Sequence, residues 1–171
     1  MFRAGILTVS DKGAQGQRQD KSGQVIRESL SALDSRVVAY DIVPDEADII
    51  AAKLSEWADK GEMDVILTTG GTGLSRRDVT PEATLSVVDK VVPGFAEAVR
   101  IKTAEKTVMA MLSRATAGIR KDCLIINLPG SPKAVQECLE VILPAVPHAV
   151  EIITGAVTEH TFPAGGRDHA H

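Results

Sequence analysis

Apolar positions along this chain come in two rhythms. Short, nearly unbroken runs at 4–10 (AGILTVS), 36–43 (RVVAYDIV), 63–69 (MDVILTT) and 123–128 (CLIINL) have the length of strands. The run at 63–69 is nearly all apolar, as a strand is when both faces of a parallel sheet are covered. Between these runs the spacing changes to that of helices. Val25, Ile26, Leu30 and Leu33 share one face of 22–33, with Ser22 placed to cap it. Ile49, Ile50, Leu54 and Trp57 share one face of 46–60, and further helical patterns cover 80–88, 93–107, 132–142 and 144–154.

Strand, helix, strand, helix, strand predicts an α/β fold: a three-layer αβα sandwich around a mostly parallel, Rossmann-like open sheet. The 171 residues suit one domain whose core needs neither disulfide nor structural metal. We bound that domain at 1–157. The remainder, 158–171, ends in TFPAGGRDHAH, has no apolar periodicity and is expected to lack fixed structure. His169 and His171 belong to that tail, and His148 sits inside a helical pattern as a structural residue.

Composition narrows the function. The chain is 44% hydrophobic but only 3% aromatic, and its formal net charge is −4. It therefore lacks both the stacking rings and the positive surface of a general nucleic-acid binder. A local anion pocket remains compatible with that charge. Cys123 lies in an apolar run and Cys138 on an apolar helix face, so both read as buried free thiols of a reducing, cytoplasmic compartment. No run approaches the ~20 apolar residues of a membrane span.

Ligands of open parallel sheets gather beyond the carboxyl ends of the strands. Four polar loops fall there: SDKGAQGQRQDKSG (10–23), opened by Ser10 and Asp11; PDEAD (44–48); GGTGLSRRDVTPEAT (70–84); and LPGSPKA (128–134). Gly70, Gly71 and Gly73 read either as a tight turn or as a phosphate cradle, and fit neither a Walker A loop nor a GxGxxG fingerprint. Thr80 with Pro81 can open the next helix, which leaves Asp78 spare. Asp78 can pair with Arg76 or Arg77 on the surface, or hold Mg²⁺ against a phosphate. Asp45 reads as a helix cap, as a metal-facing carboxylate, or as both.

Ser131 and Pro132 explain the start of the 132–142 helix, while the same N-terminus offers its positive end to an anion. Lys133 in that first turn opposes the dipole and makes better sense beside a ligand phosphate. Ser113, Arg114, Arg120 and Lys121 form a cationic set that reads as a solvated patch or as part of the site. No residue has the setting of a covalent nucleophile. Carboxylates, cations and glycine loops suit phosphoryl or nucleotidyl transfer, which needs positioning and charge neutralisation.

In order along the chain, ILTVSDKGAQGQRQDKSG, VPDE, LTTGGTGLSRRDVTPEAT, PGFAEAVR and MLSRATAGIRKDCLIINLPGSPKAV resemble the molybdopterin adenylyltransferase family of molybdenum-cofactor biosynthesis. That family includes bacterial MogA and MoaB types and the G domains of plant and animal assembly proteins. Lys133 in LPGSPKAV favours the MogA type, and the short CLEVILPAVPHAV segment resembles the G domains. The resemblance implies transfer of AMP from Mg-ATP to the terminal phosphate of molybdopterin, releasing pyrophosphate. It implies catalytic, Mg²⁺-facing roles for Asp45 and Asp78, and a nucleotide or pterin-phosphate role for Gly70, Gly71, Thr72 and Gly73. Ser113, Gly130 and Ser131 are expected to line the same pocket, with Ser10, Asp11, Arg114, Pro129 and Lys133 completing the phosphate-binding set. A homotrimer is expected, with ATP and molybdopterin as substrates and a transient contact with a molybdate-inserting protein, and no nucleic acid or membrane as partner. A non-catalytic molybdopterin carrier and a nucleotide pyrophosphohydrolase are the alternatives.

Overall fold

The computed structural model describes residues 1–156; the domain limit at 157 and the tail expected at 158–171 lie outside the described residues. Six strands, β1 (Phe2–Val9), β2 (Ser35–Val43), β3 (Val65–Thr69), β4 (Lys90–Val91), β5 (Ala117–Arg120) and β6 (Cys123–Leu128), form one sheet in the order β2-β1-β3-β6-β5-β4. The four strands predicted from apolar runs are the parallel ones, β2, β1, β3 and β6. The two that pattern did not predict, β4 and β5, add an antiparallel edge. The helices are α1 (Asp11–Ala14), α2 (Lys21–Ser31), α3 (Ala47–Asp59), α4 (Thr80–Leu85), α5 (Pro93–Ala104), α6 (Pro132–Ile142) and α7 (Val146–Ile153), with a 3₁₀ turn at Val108–Leu112.

Because side chains alternate along a strand, each central strand feeds two cores. Ile6, Val65, Leu67, Leu124 and Ile126 meet Ile26 and Leu30 of α2, Val99 of α5, Val135 and Leu139 of α6 and Val146 of α7. Leu7, Ile66 and Ile125 point the other way, onto Ile50, Leu54 and Trp57 of α3 and Ala83 of α4. The result is the expected αβα sandwich. Both cysteines are free and buried, and burial pushes each thiol up to about 12.

The start of α2 differs from expectation. Its cap is Asp20, whose Oδ1 accepts from Gly23 N at 2.9 Å, and Ser22 lies inside the helix. Ser22 Oγ instead donates to the Gly130 carbonyl at 2.7 Å, tying α2 to the loop after β6.

One polar side chain sits deep between the layers. Asn127 of β6, 4% exposed, donates from Nδ2 to Thr68 Oγ1 at 3.0 Å and to Thr84 Oγ1 at 2.9 Å, and its Oδ1 accepts from Thr116 N at 3.3 Å. It thus joins β3, α4 and the approach to β5. At the opposite end of the sheet, Arg120 and Lys121 hold the β5–β6 hairpin to α3 through Asp59, at 2.7 and 3.0 Å.

Asn127→Ala removes both donors and leaves a void, so a loss of about 2–4 kcal/mol is expected. It should appear as a lower urea midpoint at unchanged slope; an unchanged midpoint would show that the amide bonds carry no net stability. A second expectation concerns acid. Arg120, with Lys121, holds the Asp59 carboxyl down at about 2. That lies below the unfolded value of about 3.9, so the stabilisation is present above about pH 4 and is lost as pH falls towards about 2. Asp59→Asn should flatten that acid limb in urea titrations, and an unaltered limb would remove the assignment.

Candidate functional site

The carboxyl ends of β1, β2, β3 and β6 open on one edge of the sheet, where a cavity of roughly 630 Å³ lies, within the usual size of small-ligand sites. Of the expected residues, Ser10, Asp45, Gly70, Gly71 and Gly130 line it. Gly70 and Gly71 follow β3 with φ of 99° and 66°, in the left-handed region that favours glycine. Space enforces the same choice: a Cβ on Gly70 would fall 2.3 Å from the Val9 carbonyl oxygen, and one on Gly71 2.3 Å from Thr80 Oγ1. Thr80 fastens this turn, donating from Oγ1 to Gly70 O at 2.9 Å and from its backbone to Gly71 O at 3.1 Å. Thr80 is therefore not the cap expected for α4, whose cap position is Val79.

The loop after β6 closes the neighbouring wall. Thr69 Oγ1 donates to Pro129 O at 2.6 Å, and Gly70 N donates to Leu128 O at 3.2 Å. Ser131 caps α6 as expected, accepting from Ala134 N at 3.2 Å. Lys133 is exposed, without an ion pair among the described residues, and Pro129, Ser131 and Lys133 do not line the cavity.

Asp45 does not cap α3; the cap position is Glu46, with no side-chain bond. Asp45 is instead locked to Asp11 in a reciprocal pair: Asp11 N donates to Asp45 Oδ2 at 2.8 Å, and Asp45 N donates to Asp11 Oδ1 at 3.0 Å. Arg77 grips the same Asp11 carboxylate, from Nη2 to Oδ1 at 2.7 Å and from Nε to Oδ2 at 3.1 Å. Burial pushes the Asp45 carboxyl up, the Asp11 amide pulls it down, and the charges of Asp11 and Asp78 add to the rise. The hydrogen bonds from Arg77 hold the Asp11 carboxyl below its ordinary range. Asp78 bends back in a short turn, its Oδ2 accepting from Ser75 N at 2.9 Å. A Cβ on Gly71 would lie 3.4 Å from Asp45 Oδ1, and one on Gly73 2.9 Å from Asp78 Oδ2. Both carboxylates thus flank the glycine turn.

Among the described residues no cluster of three or more metal-ligating side chains exists. Asp45 lines the cavity, whereas Asp78 stands beside Gly73 outside its lining. Two carboxylates are a donor set that Mg²⁺ can use, since it keeps waters and takes substrate phosphates in place of an all-protein cage.

Arg114 braces this loop from below. Its backbone N donates to Thr72 O at 2.9 Å, Nε to Gly73 O at 2.7 Å and Nη2 to Asp78 O at 2.6 Å, while Nη1 pairs with Glu82. The buried Thr72 and the guanidinium therefore fix the path of 72–78. Ser113, just before, turns its Oγ to Ala115 N at 3.3 Å. Arg120 and Lys121 are at the far end of the sheet, outside the site.

Sequence reasoning placed the loop 10–23 at this edge but named only Ser10 and Asp11 from it, and so missed Arg18, Asp20, Lys21 and Ser22, with Thr8, on the α2 side of the cavity. Asp20 Oδ2 accepts from Thr8 Oγ1 at 2.5 Å and from the Tyr40 hydroxyl. Burial, then Asp20, pushes the Tyr40 phenol up to about 12. Arg18 and Lys21 have no ion-pair partner among the described residues. The signal was present as two cations and a carboxylate in RQDKSG, but the partners Thr8 and Tyr40 are remote in sequence.

Residues 5–148 match the family model described as "Probable molybdopterin binding domain". A molybdopterin adenylyltransferase of Helicobacter pylori J99 is 46% identical over 153 residues, covering 88% of this chain and 87% of that protein. One from Escherichia coli K12 is 37% identical over 172 residues, covering 92% and 88%. The crystal structure of the molybdopterin biosynthesis enzyme MoaB from Thermus thermophilus is 54% identical, covers 91% of this chain and 98% of its own, and superposes with a TM-score of 0.86. The family model spans most of the chain, and this chain belongs to the molybdopterin-binding domain family of molybdenum-cofactor biosynthesis proteins.

Proposed function

We propose that this protein transfers the adenylyl group of ATP to the terminal phosphate of molybdopterin, releasing pyrophosphate. The observation that carries the reading is a glycine turn flanked by Asp45 and Asp78 on a cavity that, among the described residues, no cysteine or histidine lines. The acceptor phosphate supplies the attacking oxygen. A bond forms from that oxygen to the α-phosphorus, the bond from the α-phosphorus to the bridging oxygen breaks, and pyrophosphate departs with the electron pair. The protein's share is then to position two anionic partners and offset their charge. Gly70 and Gly71 line the cavity and would let a phosphate approach their backbone, while Arg18 and Lys21 line it with positive charge. Asp45 and Asp78 would hold Mg²⁺; bound there with phosphate oxygens, it would neutralise charge and polarise the phosphoryl group.

The same reading puts the protein in the cytoplasm, with a molybdate-inserting protein downstream. Among the described residues no helix is long and apolar enough to cross a membrane. A homotrimer would account for a run of exposed apolar side chains: Val91, Ile101, Val108, Met109, Met111 and Leu112.

With ATP labelled at the α-phosphate, label should move to molybdopterin only when Mg²⁺ is present, and Asp78→Asn should slow transfer by about 10²-fold or more. Bound pterin with intact ATP would favour the carrier, and loss of ATP without pterin the pyrophosphohydrolase. The 54% identity to a MoaB makes MogA-type against MoaB-type activity a point this assay decides. For assembly, light scattering should give three chain masses, with Met111→Lys shifting the protein to one. A wild-type monomer would end the trimer reading, and a trimeric variant would move the interface elsewhere.

A further inference from the structure

The loop that carries Asp45 is weakly held by its own neighbours. It leaves β2, the edge strand of the sheet, and enters α3 without a side-chain cap. Main-chain bonds hold its two ends, Ser10 N to Val43 O at 2.9 Å on one side and Glu46 N to Pro44 O at 2.8 Å with Ile50 N to Glu46 O at 3.0 Å on the other, and Asp45 itself is anchored by Asp11. Asp11 sits on α1, a four-residue helix capped by Ser10, which accepts from Gly13 N at 3.0 Å. Two carboxylates face one another here, and like charges at close range would push Asp11 away. Arg77, arriving from the loop after β3, lays both Nε and Nη2 on Asp11 and offsets that repulsion. The fork geometry of a guanidinium also fixes the carboxylate's plane, which leaves Oδ1 aimed at Asp45 N.

We propose that Arg77 is a positioning residue for Asp45: it orients Asp11, and Asp11 clamps both the backbone and the carboxylate of Asp45 beside the glycine turn. The chain Arg77–Asp11–Asp45 joins the loops that follow β3, β1 and β2, so three separate strand ends move as one unit. This role rests on the adenylyl-transfer reading for its kinetic consequence, though not for its structural one. Arg77 is exposed and Asp11 partly so, at 56% and 38%, and an ion pair this open to solvent adds little to global stability. Arg77→Met should therefore fold with an unchanged thermal midpoint.

Two measurements on the full chain decide the matter. In the unliganded protein, Arg77→Met should speed amide hydrogen exchange at Asp11 and Asp45 by about tenfold or more. Unchanged exchange at both amides would overturn the proposal, whether or not the protein turns over. In the transfer assay, Arg77→Met should lower kcat by about 10- to 100-fold, with KM for ATP held within about twofold. Arg77→Lys should recover part of the loss, and Arg77→Met combined with Asp11→Asn should be no slower than Arg77→Met alone. A raised KM at unchanged kcat, or losses that multiply in the double variant, would assign Arg77 to the ligand and sink the relay. If the wild type transfers no label, the adenylyl-transfer reading falls and the exchange rates alone judge the relay.

Discussion

Four strands that run the same way must end on the same edge. Everything about the site follows from that constraint. The parallel pairings of β2, β1, β3 and β6 bring the residues after Val9, Val43, Thr69 and Leu128 together, although they are far apart in the chain. Loop backbone at such an edge needs hydrogen-bond partners, and the structure supplies them largely from side chains of neighbouring loops. Thr69 serves Pro129, Ser22 serves Gly130, Thr80 serves Gly70, and Asp11 serves Asp45. Apolar packing of the two cores fixes where the strands end; a web of hydroxyls and carboxylates fixes what stands beyond them.

The division between legible and illegible features follows from reach. Strands β1, β3 and β6 were readable because burial on both faces writes a continuous apolar run, whereas the edge strand β2 showed through its β-branched and aromatic residues. Strand β5, AGIR, has only four residues and two apolar side chains, and β4 has two residues, so neither leaves a pattern. Caps were misread where a nearby carboxylate or hydroxyl had a distant partner: Ser22, Asp45 and Thr80 all looked like helix starts and all bond across the edge instead. The glycine turn was visible because its residue type is dictated locally. Arg77 and Arg114 were visible as charges, but their partners lie far away in sequence, and no local rule separates a ligand-facing guanidinium from one that holds a loop.

That distinction bears on the chemistry. Two conspicuous arginines at this edge are engaged with protein: Arg77 with a carboxylate, and Arg114 with two carbonyls and Glu82. Arg18 and Lys21, which have no ion-pair partner among the described residues, line the cavity from the α2 side together with Asp20, and Asp45 lines it from the β2 loop. The cavity thus carries both signs of charge, and its carboxylates would accept an anion only with a cation between.

Asn127 has a meaning beyond the bonds it makes. Thr68 and Asn127 are direct partners in the β3–β6 pairing. The residues around them, Ile66, Leu67, Leu124, Ile125 and Ile126, are aliphatic on both faces. Such strands have little to stop them sliding past one another, because leucine and isoleucine accept each other's places at small cost. A slip of one residue would turn the buried amide to the opposite face and strand its polar atoms among aliphatic side chains. The amide works as a vernier: apolar burial sets that the strands pair, and one directional group sets where.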